Sequence, residues 1–377
     1  MEKIKISSDF ECGNIEVIDC SDSKNIRLNI QKDHKSDHFQ WFYFRAVNVR
    51  ERNLKIKILN ANEAAYPEAW SSYHAVASYD TKEWFRVPTF YDGEKLTIEH
   101  SPEFNAVYYA YFQPYLYAQH QHLIGRAQKS PLSNVRVIGQ TAQGKDIDLI
   151  TFGSPCMSKK RLWIVARQHP GESMASYFME GIIDRLLDTE DKKVKQILQN
   201  ATFCMVPYIN PDGGMLGNLR TNANGRDLNR EWGNPDPIQG PEVYHIMKEM
   251  EEKGVDLFLD IHGDEELPYV FISSIEGIPS YNEKLKNALD SFKKSWLIHS
   301  PDFQTEQGYG INAPGTANLN IASKAIGEKY KCLSMTIEMP FKDNKSNPDF
   351  IFGWSADRSK QLGSSVIDVI ADVIDLL

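Results

Sequence analysis

The sequence predicts an α/β protein in two parts: an antiparallel β-sandwich over residues 1–116, then an α/β layered domain over residues 117–377. Three observations point there. Up to Tyr115 the apolar segments are short and rich in aromatic and β-branched residues, with turn-forming clusters between them, the pattern of paired, half-buried strands. Beyond it, short apolar runs alternate with stretches of helical spacing, which calls for a mostly parallel or mixed sheet covered on both faces. At 377 residues the chain is also long for a single core, so two domains are the natural division.

In the first part, residues 15–18, 26–30, 40–47 and 54–59 read as strands, and 83–87, 95–99 and 106–112 continue the series; Ser21-Asp22-Ser23 and residues 32–37 supply turns. Short strands separated by turns suggest a sandwich. Residues 114–130 change character and read as a helix bridging the two parts. Residues 135–139 and 146–151 flank a Gly-containing turn, a hairpin. Next come a strand at 162–166, a helix at 174–187 with Met174, Phe178, Ile182 and Leu186 along one face, and a strand at 202–207. A polar loop at 210–239 leads to a helix at 241–253 and strands at 255–261 and 269–273. Helices at 281–294 and 319–326, a last strand at 333–337 and a terminal helix at 355–377 complete the chain.

Bulk composition narrows the function. A net charge of −9 argues against a general nucleic-acid binder, which needs a basic face, and against attraction to anionic membranes. The first residues show no apolar signal region, and no 18-residue apolar run exists, so the expectation is a cytoplasmic protein that does not span a membrane. The five cysteines (Cys12, Cys20, Cys156, Cys204, Cys332) are odd in number and scattered, which reads as free thiols rather than a disulfide frame. A homo-oligomer is compatible with all of this.

The apolar strands of the second part end in polar residues that packing does not require. The first runs into His169-Pro170-Gly171-Glu172, the second into Asn210-Pro211-Asp212-Gly213 and the loop holding Arg220, Asp227, Asn229 and Arg230, the third into His262, and the last into Glu338. Ligands of open α/β sheets bind beyond the carboxyl ends of the strands, so these residues define one concave polar site. Two His and one carboxylate match a catalytic zinc site, with three protein ligands and an open position. Asp260 or a backbone carbonyl is suited to orient the His262 ring. Glu338 is suited to take a proton from metal-bound water and pass it to a leaving amine. The loop arginines fit two tasks, binding a carboxylate and stabilising an oxyanion. The other eight histidines read as solvated or structural.

The ordered set H-P-G-E, N-P-D-G, G-N-x-R, D-L-N-R, D-I-H-G and I-E resembles the zinc metallocarboxypeptidase family, most closely its cytosolic carboxypeptidase branch with bacterial relatives. Trp41-Phe42-Tyr43-Phe44 and Tyr111-Phe112-Gln113-Pro114-Tyr115 resemble the β-sandwich that precedes the peptidase in that branch. The resemblance implies an α/β/α sandwich around a mixed sheet of about eight strands. It implies one Zn2+ per chain on His169, Glu172 and His262, and Glu338 as general base and acid. Arg220 would polarise the scissile carbonyl, while Asn229 and Arg230 would grip the C-terminal carboxylate of a peptide or protein substrate.

Two positions depart from the family pattern. Secreted members carry a mobile Tyr about twenty residues before the catalytic Glu; Thr316 occupies that spacing here, and Tyr309 is the nearest Tyr candidate. Deglutamylating members carry Thr-Ala-Arg where this chain has Thr316-Ala317-Asn318, which weakens the expectation of a C-terminal glutamate preference. Lys324 is an alternative source of positive charge but reads as a surface lysine. Two rival functions remain: an aspartoacylase-like zinc amidohydrolase acting on N-acyl amino acids, and a non-catalytic module that binds peptide C-termini. The sandwich and the D-L-N-R motif favour peptides over the first, and the intact ligand set argues against the second.

Overall fold

The computed structural model describes residues 2–153 and 159–377; Cys156 lies outside them. The other four cysteines are free, and Cys12, Cys204 and Cys332 are buried. The first part holds two five-stranded sheets. One contains Lys5–Ser7, Tyr43–Val47, Ala106–Ala110, Val76–Ser78 and Phe85–Arg86, and the other Glu16–Asp19, Ile26–Asn29, Leu54–Ile58, Leu96–His100 and Thr89–Tyr91. Alternation decides which face is inward: Leu54, Ile56 and Ile58 are buried and Lys55 is exposed, the period-two signature of a half-buried strand. The strands pair antiparallel except for Ile26–Asn29 with Leu54–Ile58, which run parallel. The inner faces share one apolar core that includes Leu28, Ile56, Ile98, Phe44, Val107 and Tyr109.

The second part is built on a mixed seven-stranded sheet in the order Ser133–Gln140, Asp146–Phe152, Ala201–Val206, Lys160–Ala166, Leu257–Asp264, Leu333–Pro340, Phe271–Ser274. The four inner strands from Ala201–Val206 to Leu333–Pro340 are parallel. Side-chain alternation on Lys160–Ala166 divides the two cores. Leu162, Ile164 and Ala166 pack with helices Ser173–Leu186 and Ala356–Val373. Trp163 and Val165 pack on the other side with helices Pro241–Lys253 and Ala322–Tyr330. Helix Tyr117–Gln128 stands where the bridging helix was expected.

Several details differ from the sequence reading, among them three short strands it did not name, Lys5–Ser7, Val76–Ser78 and Thr89–Tyr91. The sheet has seven described strands rather than about eight. Beyond Phe271–Ser274 only a single bridge forms, Val270 with Phe303; Pro301 beside it lacks an N–H to give, and Gly308 and Gly310 weaken strand formation. A further helix spans Lys192–Asn200, started by the Asp191 carboxylate accepting from the Lys193 and Val194 amides. Only Val194 and Ile197 are buried on it, too few apolar positions to announce a helix. The helix expected at 319–326 begins at Ala322 and runs to Tyr330.

Candidate metal centre and active site

Strand Lys160–Ala166 leads straight into Arg167, whose φ of 64° is left-handed. A non-glycine residue pays for that conformation unless its surroundings fix it. Here Arg167 is buried, its Nε donates to the Pro170 carbonyl at 2.7 Å, its Nη1 donates to Ser176 Oγ at 3.0 Å, and the guanidinium lies 4.9 Å from the centre of the Tyr208 ring. Glu172 stands at the N-cap of helix Ser173–Leu186 yet makes no capping hydrogen bond. Its carboxylate turns instead to two imidazoles: Oε1 lies 2.6 Å from His169 Nδ1 and Oε2 lies 2.9 Å from His262 Nδ1. Oε2 also accepts the Gly263 amide at 3.1 Å. A Cβ at Gly263 would fall 2.5 Å from Met174 Sδ, so glycine permits this close approach.

The far side of each ring is held by a further carboxylate. His262 Nε2 lies 2.9 Å from Asp260 Oδ2, and His169 Nε2 lies 3.0 Å from Asp227 Oδ1. Asp260 is fixed in turn by Gln168 Nε2, which reaches both its oxygens at 2.8 Å, while Gln168 Oε1 accepts from Trp232 Nε1 at 2.7 Å. A carboxylate on Nε2 favours the tautomer with the proton there and leaves the Nδ1 lone pair facing Glu172. One ligand atom from each of His169, Glu172 and His262 lies within 4.8 Å of the others, and all three residues are buried. Two imidazole nitrogens and one carboxylate oxygen are the donor types zinc takes, so these residues fit that ion. Charge agrees. Burial raises the Glu172 carboxyl, but His169 and His262 lower it further, so it stays ionised. Burial pushes the His262 ring down, yet Asp260 and Glu172 hold it well above the usual imidazole range. A field that favours a proton at this place favours a metal cation for the same reason.

Glu338 is the cross-strand neighbour of His262. It is 6% exposed; Oε1 lies 3.4 Å from the Tyr309 hydroxyl, and buried Oε2 has no hydrogen-bond partner among the described residues. Burial raises its carboxyl well above the ordinary range; His262 opposes this, while Glu172, Asp264 and Glu265 add to it. The Tyr309 hydroxyl also donates to Asp264. Thr316 and Asn318, by contrast, are exposed and do not line the cavity.

These groups face a cavity of about 230 Å³. Arg220, Asn229 and Arg230 line it, so the structure brings every sequence-predicted site residue to one place. Arg220 Nε donates to Asp227 Oδ2 at 2.9 Å, which couples it to His169 through one carboxylate. Asn229 Oδ1 accepts the Ala322 amide at 2.9 Å, and the Arg230 guanidinium donates to the Asn229 carbonyl at 2.9 Å. Lys324 corrects the sequence reading. It is 5% exposed, not a surface residue, and it lines the same cavity from the first turn of helix Ala322–Tyr330. Sequence reasoning placed Asp227 in the site loop without its role between His169 and Arg220, placed Asp264 and Glu265 only at the end of the His262 strand, and missed Tyr66 altogether. Asp227 had a signal, since it lies in the D-L-N-R motif; Tyr66 had none, lying more than 100 positions away in the sandwich.

Residues 6–112 match the family model for the cytosolic carboxypeptidase N-terminal domain, and residues 121–357 match that for zinc carboxypeptidase. A protein of Zymomonas mobilis with no assigned function is 40% identical over 99% of this chain and 97% of its own length. Cytosolic carboxypeptidase 6 of Caenorhabditis elegans is 27% identical over 88% of this chain and 77% of its own. Among solved structures, a metallo-carboxypeptidase from Burkholderia cenocepacia superposes with a TM-score of 0.97 at 44% identity, covering 99% of this chain and 100% of the other. One from Pseudomonas aeruginosa, solved with (2-guanidinoethylmercapto)succinic acid, gives 0.96 at 45% identity over 99% of both chains. Neither the amidohydrolase nor the binding-module alternative is favoured by these matches. Sequence and backbone thus agree along nearly the whole length, and the chain belongs to the zinc carboxypeptidase family, as an enzyme of the branch that carries a cytosolic carboxypeptidase N-terminal domain.

Proposed function

We propose that this enzyme removes the C-terminal residue of peptides or proteins, using one zinc ion held by His169, Glu172 and His262. The observation that carries the reading is the meeting of these three side chains with Glu338 in one buried cavity. When bound, zinc supplies a Lewis acid that polarises the scissile carbonyl and acidifies a water. The chain does the rest. With the charge of bound zinc offsetting the neighbouring carboxylates, Glu338 would be ionised, accept the proton of the attacking water on Oε2, which has no partner among the described residues, and return it to the leaving nitrogen. Arg220, steadied by Asp227, stabilises the oxyanion. Arg230 and Asn229 bind the free C-terminal carboxylate. Tyr309, bonded to Asp264, keeps a hydroxyl beside Glu338.

Lys324 narrows the substrate. A buried ammonium lining the cavity is suited to an acidic side chain on the C-terminal residue. We also read residues 1–116 and 117–377 as the two domains and the cytoplasm as the working compartment. The relatives named cytosolic carboxypeptidases support the latter, and no helix among the described residues is long and apolar enough to cross a membrane. The test is Glu338→Gln. It is expected to retain one zinc per chain by metal analysis while hydrolysis of a peptide with a C-terminal acidic residue falls by several orders of magnitude. Activity near that of the parent would remove Glu338 from its role.

A further inference from the structure

Arg220 is held from the sandwich side at both its ends. At the tip, its Nη1 donates to the Tyr66 hydroxyl at 2.7 Å. At the backbone, the amides of Leu219, Arg220 and Thr221 donate to the buried Asp33 carboxylate at 2.6, 2.8 and 2.9 Å, and Thr221 Oγ1 joins them at 3.1 Å. Tyr66 is itself fixed. The side chain of the fully buried Gln40 accepts the Tyr66 amide at 2.8 Å and donates to the Tyr66 carbonyl at 3.1 Å. Tyr66 is also the only described residue from the first 116 that lines the active-site cavity. The loop itself comes close to the sandwich: a Cβ at Gly217, whose φ is +71°, would fall 2.5 Å from the Gly13 carbonyl oxygen. A carboxylate that takes three consecutive amides defines a loop's path, and a hydroxyl on a guanidinium tip defines its aim.

We propose that Tyr66 and Asp33 are positioning residues of the carboxypeptidase reaction: the sandwich aims Arg220 at the oxyanion, so the active site is completed across the two parts of the chain. This rests on the reading of Arg220 given above. Preorganised donors act on developing charge, so loss of aim lowers kcat more than it raises KM. The test is a double-mutant cycle in the full chain loaded with zinc. Tyr66→Phe removes one hydroxyl and should lower kcat by roughly tenfold, the effect of one hydrogen bond to a charged group, with KM, zinc content and melting temperature little changed. Asp33→Asn should lower kcat in the same manner, with a lower melting temperature. In an Arg220→Ala background both substitutions should have no further effect on kcat, because the group they aim is gone. Tyr66→Phe as active as the parent, or losses that multiply with that of Arg220→Ala, would overturn the proposal. The Arg220 reading fails separately: Arg220→Ala with parental kcat would dismiss the oxyanion role itself, whereas an impaired Arg220→Ala beside a fully active Tyr66→Phe dismisses only the positioning.

Discussion

Burial pushes the Lys324 ammonium down to about 8, against a smaller upward pull from Glu276. An unfolded lysine titrates near 10.4, so between about pH 8 and 10.4 the unfolded chain holds more protons and the contribution of Lys324 to stability rises with pH. Recognition runs the other way. The charged form is lost as pH rises through about 8, so KM for a peptide ending in an acidic residue should climb by roughly tenfold or more above it. KM for a neutral C-terminal residue should stay flat, and Lys324→Met should remove the difference. Steady-state kinetics on the two peptides across pH decide it; parallel KM profiles in the parent enzyme would count against an acidic pocket. The proposed zinc ligands and base were legible in sequence because His169, Glu172, His262 and Glu338 lie at or just beyond the ends of apolar runs, where packing gives no reason for such residues. Lys324 was not. Residues 322–327 are all buried, and small residues around a lysine do not reveal in sequence that the whole turn faces inward.

At the scale of elements, helix Pro241–Lys253 carries Glu242 in its first turn, fully buried. Burial pushes that carboxyl up to about 7, and Asp212 adds to the rise. Its Oε2 accepts from Asn222 Nδ2 at 3.2 Å, while Oε1 has no partner among the described residues. An unfolded Glu titrates near 4.3, so the folded protein holds the extra proton between these values, and the stability it contributes at low pH is lost as pH rises through about 7. Glu242→Gln mimics the protonated form and is expected to raise Tm by several degrees at pH 8 and to change it little at pH 4. Thermal melts at the two values check this, and an unchanged Tm at pH 8 would contradict it. Helix Pro241–Lys253 was readable to its ends from Gly240-Pro241 and Gly254, signals of helix start and stop. The left-handed turn at Arg167 was not, because the bonds that fix it come from Pro170 and Ser176 after folding.

Across the whole molecule, one apolar core runs from the sandwich into the catalytic sheet. Tyr111 stacks on Phe341 at 4.6 Å, three residues beyond Glu338, and Phe112 meets the same ring edge-on. A shared core makes the two parts unfold together. Calorimetry should therefore give a single transition with matching calorimetric and van't Hoff enthalpies. Phe341→Ala should cost about 3–5 kcal/mol while keeping one transition; two resolved transitions in the parent would refute the coupling. Two parts were visible in sequence from the change in periodicity, but not how firmly they join, since Asp33 and Tyr66 meet Arg220 only once both have folded.

The edge strand Phe271–Ser274 is short, and the loop beside it forms one β-bridge, at Val270, and packs Tyr309 on Phe271, while the proposed metal ligands sit on or beside interior strands. Ser273 and Tyr309, on that edge and loop, wall the same cavity. Diversification can thus rework the rim that sorts incoming tails while the bond-breaking machinery stays untouched, so paralogues built on this scaffold should diverge in diet before they diverge in chemistry.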